Sequence, residues 1–163
     1  DPSNPYAYLG KAEVYISKKE YQEAVDCLQM TIKKSVALQT VHWHGRRLKG
    51  KLHLKLKQYK EAEFELKLFT KREFPENNPN LKWKRDALFD YGQTQLELED
   101  YSAAVDSFQK MMDIEFGNDK ISKAKQLRFR GIAKQKAGQN GYKSDLKAAA
   151  EAGDKVAIKM LAT

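Results

Sequence analysis

The sequence predicts an all-α chain, an array of about four helix-turn-helix repeats closed by a short C-terminal capping helix. Three observations carry that prediction. The first is a spacing that occurs three times. A small residue is followed nine positions on by Tyr, three later by Ala and four later by a large apolar residue. The copies are Ala12, Tyr21, Ala24, Leu28, then Gly50, Tyr59, Ala62, Leu66, then Gly92, Tyr101, Ala104, Phe108. The second observation is helical periodicity between these anchors. The third is the scarcity of breakers, since 9 Gly and 4 Pro in 163 residues disfavour a turn-rich β-sandwich.

Each element follows in order. Asp1 to Pro5 reads as a turn or linker, because both prolines fix φ and lack a donor. Asp1 is not a start methionine, so the chain is expected to be part of a longer one. Residues 6–17 carry Tyr8, Ala12, Tyr15 and Ile16 on one helical stripe, and residues 21–32 carry Tyr21, Ala24, Val25, Leu28 and Ile32 on another. The small residue and the Ala sit where the two helices cross, the Tyr packs at the turn, and the Leu or Phe is expected to fill the groove toward the next unit. Leu52 to Leu56 alternate like a strand, but they lie between helical anchors and read as helix. Pro75 to Asn80 is a breaker. Residues 86–98 and 101–114 form the third pair, with Met111 and Met112 expected in the core. The fourth repeat is degraded, with Gly131 in the small position and Tyr142 eleven residues on, after a turn at 138–141. Gly153 stops its second helix and Asp154 caps the last one. The expected repeats are therefore 5–37, 41–74, 79–116 and 119–152, with a capping helix at 154–162, all in one domain spanning 1–163.

Composition excludes several classes. No apolar run approaches the roughly 18 residues of a membrane span. One Cys and three His offer neither a disulfide nor a zinc set. His42 and His44 point to different sides of a helix, so no metal is expected there. Cys27 reads as an inert buried thiol. Glu61, Glu63 and Glu65 read as an ordinary charged helix face, and Trp43 and Trp83 as packing residues. There is no phosphate loop and no nucleophile motif, so the chain is expected to be no enzyme and to need no cofactor. A lone Cys and a Lys-rich composition point to the cytoplasm, with a periplasmic or secreted location after signal removal left open.

The charge is uneven. There are 30 Lys plus Arg against 22 Asp plus Glu, a net +8. Between Asp26 and Glu61 stand nine basic residues and no acid, among them Arg46, Arg47, Lys49, Lys51 and Lys55. A second cluster runs from Lys120 to Lys136. Each is either a solvated helix face or an anion-attracting surface.

The small–Tyr–Ala–Leu/Phe sets resemble the tetratricopeptide repeat, a helix-turn-helix unit of about 34 residues. Glu20 to Val25 and Glu99 to Val105 are the closest stretches. Successive tyrosines are 38 and 42 positions apart, longer than that period. The second repeat also departs from the pattern, with His53 where the family places an aromatic residue and Arg46 where it places a bulky apolar one.

The resemblance implies a right-handed superhelix with a concave groove lined by first helices, and a non-catalytic protein-protein interaction scaffold. On that alignment the ligand-binding groove residues are His44, Arg47, Lys51, Lys55, Phe89, Gln93, Lys125 and Arg128. Basic residues with apolar ones between suit an extended acidic protein or peptide segment. The alternative is a basic nucleic-acid-binding repeat protein, whose binding would collapse as salt rises. A chaperone carboxylate clamp is not expected. Leu9 and Glu13 stand where it needs Lys and Asn, Leu48 where it needs Asn, and Phe129 where Lys125 would need an Arg partner.

Overall fold

A computed structural model describes residues 1–76, 78–114 and 122–163. Positions 77 and 115–121, which include Asn77 of the expected breaker and Lys120 of the second basic cluster, lie outside the described residues. The described residues form α-helices and no strand. The helices are α1 (Pro5–Ser17), α2 (Tyr21–Lys34), α3 (Thr40–Lys55), α4 (Tyr59–Lys71), α5 (Pro79–Glu97), α6 (Tyr101–Asp113), α7 (Lys123–Lys136), α8 (Tyr142–Glu151) and α9 (Lys155–Leu161). None is long and apolar enough to cross a membrane. The chain divides into two compact units, Asp1–Asp90 and Tyr91–Thr163, with the division inside α5.

In the N-terminal unit α1 packs on α2, α2 on α3, and α3 on α4. The core joins Ala12, Ala24, Val25, Leu28 and Leu52, with Leu9, Tyr15, Ile16 and Cys27 packed against it. Burial raises the Cys27 thiol pKa, so the thiol stays protonated and unreactive at neutral pH. Leu66 and Phe69 of α4 are fully buried. Gly50 is small by necessity, because a Cβ there would stand 2.6 Å from Cγ of Leu66.

In the C-terminal unit α6 packs on α7, α7 on α8, and α8 on α9. A Cβ on Gly92 would stand 2.6 Å from the Phe108 ring, and one on Gly131 would stand 3.0 Å from Cγ of Leu146. Met111 is fully buried, whereas Met112 is only half-buried. The Asp154 carboxylate caps α9 through the amides of Val156 and Ala157. It also accepts from Nε of Arg128 at 3.0 Å.

Every first helix ends the same way. Ser17, Lys55, Glu97 and Lys136 each lie five residues past the small residue of their repeat. Two residues further the backbone turns left-handed, at Lys19 (φ 64°), Lys57 (φ 59°), Glu99 (φ 61°) and Gly138 (φ 67°). The next amide reaches back five residues, from Glu20 to Tyr15, Gln58 to His53, Asp100 to Gln95 and Gln139 to Lys134. This reach-back closes a helix by satisfying carbonyls that have no partner within it. The fourth turn then carries two additional residues and a second left-handed glycine, Gly141.

A polar lock recurs beside the crossing. Glu65, Ser107 and Asp145 each precede the large residue that faces the small one. Ser107 Oγ bonds Gln95 at 2.6 Å. Asp145 receives Nε and Nη2 of Arg130 at 2.8 and 2.5 Å, and Nζ of Lys134 at 2.9 Å. Glu65 departs from the charged-face expectation, being only 3% exposed and held by Arg46 and Lys49.

Two stability predictions follow from these contacts. Gly10 in α1 has open space around its Cβ position. Gly10→Ala should therefore raise the denaturation midpoint, by about 1 kcal/mol of helix propensity. Gly92→Ala gains the same propensity but meets Phe108, and overpacking of about 1–3 kcal/mol should turn the balance to a net loss.

The second concerns acid. Burial raises the Asp145 pKa, but the hydrogen bonds and charges of Arg130 and Lys134 outweigh it and hold the carboxyl below its ordinary value. A depressed carboxyl stabilises the folded state above its unfolded pKa and loses that contribution as pH falls through the folded one. Asp145→Asn should thus cost roughly 2 kcal/mol at pH 7, less than for fully buried pairs because both cations can turn toward solvent. Urea melts at neutral and at acid pH should show the difference between variant and wild type shrinking in acid.

Candidate functional site

The α3 helix presents two polar stripes, because residues three and four apart share a helix face. One stripe carries His44, Arg47, Lys51 and Lys55. The other carries His42, Arg46, Lys49 and His53.

On the first stripe the His44 ring lies on Trp83 of α5, with centroids 4.1 Å apart and planes tilted by 32°. The Arg47 guanidinium stands 4.9 Å over the same indole and approaches His44 Nδ1 at 3.3 Å. Burial, then the Arg47 charge, push the His44 pKa down to about 4, so the ring is neutral at pH 7. Arg47 is 8% exposed. Burial pulls its pKa below the ordinary value, against the opposing charges of Asp86 and Asp90 on α5. Its Nε–H has no acceptor among the described residues. Lys51 is half-buried, with no ion pair to a described residue. Lys55 is exposed, its Nζ 5.1 Å over the Tyr21 ring.

The structure brings His44, Arg47 and Trp83 into contact and sets Lys51 along the same stripe. Phe89, also in the N-terminal unit, is buried. The remaining predicted residues lie in the C-terminal unit. Gln93 is half-buried on α5, and Lys125 is exposed on α7. Arg128 pairs with Asp154 and lies 4.6 Å over Phe129. Trp43 packs edge-on against Phe74 and donates to the Ala37 carbonyl at 2.7 Å.

The second stripe faces a cavity of about 630 Å³ between α2, α3 and α4, lined by none of the eight predicted residues. Arg46 Nη1 meets Glu65 at 2.6 Å, and Lys49 Nζ meets its other oxygen at 2.8 Å and Gln29 Oε1 at 2.5 Å. Arg46 Nε donates to His42 Nε2, which leaves His42 Nδ1 as the protonated nitrogen facing Ser35 Oγ. His53 Nδ1 lies 2.6 Å from Gln58 Oε1. Phe64 stands at the rim, 60% exposed. Sequence reasoning missed this cavity, although Arg46 and His53 were the two departures from the repeat pattern.

Among the described residues no cluster of His, Cys, Asp and Glu could hold a metal ion. His44 supplies a prediction. A His whose folded pKa is lowered favours the folded state above its unfolded pKa near 6.5, and that contribution is lost as pH falls from 6.5 toward 4. Ring-proton NMR should place the His44 midpoint near 4, and His44→Gln should flatten the loss of stability across that window.

The tetratricopeptide repeat model matches residues 6–35 and 86–114. Among solved structures, the chain is similar to the crystal structure of YrrB, described as a TPR protein with an unusual peptide-binding site. The TM-score is 0.77 at 18% identity, over 100% of this chain and 77% of that one. It is also similar to the crystal structure of MamA, with a TM-score of 0.70 at 16% identity, over 93% of this chain and 79% of that one. These likenesses show the fold. No curated protein matches the sequence.

Proposed function

From the tetratricopeptide-like fold, we propose a non-catalytic protein-interaction scaffold that holds an extended peptide segment against α3. The repeat architecture carries this reading, since YrrB, of like fold, is described as having a peptide-binding site. The His44–Arg47–Lys51 stripe of α3 is the proposed contact surface. The Arg47 guanidinium lies over the indole of Trp83 and beside neutral His44. Lys51 supplies an uncommitted charge one turn on. Asp86 and Asp90 balance part of the Arg47 charge, so an acidic segment would be read chiefly through Lys51 and Lys55.

A nuclease-treated pull-down from source lysate tests the reading, with wild type beside Lys51→Glu/Lys55→Glu. A protein partner should survive nuclease and fall at least about tenfold in the variant, as for loss of a central charged contact. Recovery of nucleic acid alone in an untreated control, lost at high salt, would replace this reading with a nucleic-acid one.

A further inference from the structure

We propose that the cavity between α2, α3 and α4 is a second binding site, for a protein segment that presents an apolar side chain beside an acidic one. It uses the opposite stripe of α3 from the groove reading and stands or falls apart from it. Three features select that ligand. The first is charge. Two cations, Arg46 and Lys49, share the single carboxylate of Glu65, with side chains only 19%, 13% and 4% exposed. The cluster therefore keeps a surplus positive charge where water screens it poorly. Arg46 holds Glu65 and His42 through Nη1 and Nε, and Lys49 uses two N–H groups on Glu65 and Gln29, so Nη2 of Arg46 and the third N–H of Lys49 remain as donors for an incoming carboxylate.

The second feature is the apolar rim. Phe64 is 60% exposed above Val25 and Ile32, which are themselves nearly buried. An aliphatic or aromatic side chain laid against Phe64 would complete that surface. The third is size, since about 630 Å³ falls in the range of ligand pockets and holds two side chains and the backbone between them. The outer charges of Lys60, Asp26 and Glu61 sum to one negative, so the surplus positive charge is confined to the Arg46–Lys49–Glu65 cluster, and an incoming acid would be held there.

The test uses random peptides displayed on phage, panned against the whole chain. Enriched peptides are synthesised and measured by fluorescence anisotropy. Two exposed positions supply variants that keep the internal clamp, Phe64→Asp at the rim and Gln29→Glu beside Lys49. Enriched peptides should pair an apolar residue with an acid. Each variant should weaken them at least about tenfold, the scale of one lost anchor or one neutralised charge. Changing the peptide acid to its amide should weaken binding to wild type but barely alter binding to Gln29→Glu. Thermal melts establish that both variants fold, and if Phe64→Asp does not, Gln29→Glu with the amide peptide decides alone. The proposal is overturned if nothing enriches, if binding is indifferent to both variants, or if the amide change costs the same in each background. Peptides lost only in Lys51→Glu would place binding on the other stripe and overturn this site while supporting the groove. A wild-type dimer that Phe64→Asp dissociates in sedimentation equilibrium would assign the rim to a second copy of the chain and overturn it likewise.

Discussion

Two helices cannot cross closely unless one yields its side chain. Gly50, Gly92 and Gly131 yield theirs, and Leu66, Phe108 and Leu146 occupy the space. Ala12 takes the same place in the first repeat, fully buried as is Leu28. Once the crossing is fixed, the ridge positions on each helix are fixed with it. The inward stripe, the turn residues and the residue beside the crossing all take their places from that contact. The locks at Glu65, Ser107 and Asp145 belong to it too, since each is the neighbour of the large residue at the crossing. Charge there requires a cation from the first helix, and Ser107 requires only Gln95.

This dependence explains what could be read from the sequence. The small–Tyr–Ala–Leu spacing is steric, and sterics leave a strict signature in residue size. The helices and their turns were legible for that reason, as was the longer fourth turn before Tyr142. Burial of charge leaves no such signature. Glu61, Glu63 and Glu65 look alike in sequence, yet only Glu65 turns inward, because only it neighbours the crossing. Arg46 and His53 broke the repeat pattern, and both line the α2–α3–α4 cavity. The groove residues illustrate the other limit. Periodicity placed His44, Arg47 and Lys51 on one stripe, but it could not show that Trp83 would hold two of them.

The net charge of the chain is accordingly a poor guide to its surface. Arg46, Lys49, Arg130 and Lys134 are engaged with two buried carboxylates, and Arg128 with the cap of α9. Arg47 is stacked and buried. The basic run between Asp26 and Glu61 is thus divided between internal structure and open surface.

The first helices all stop five residues beyond the crossing, but they do not start together. α1 begins seven residues before its crossing, α3 ten and α5 thirteen. All the additional length of α3 and α5 is therefore an overhang at one end, and Trp83 stands in that of α5, against His44 of α3. The helix pair clasps at one place and reaches out from another. Residues in the overhang can change, or the overhang can lengthen, without moving the clasp. A chain built this way can alter what it touches while leaving untouched the contact that makes it fold.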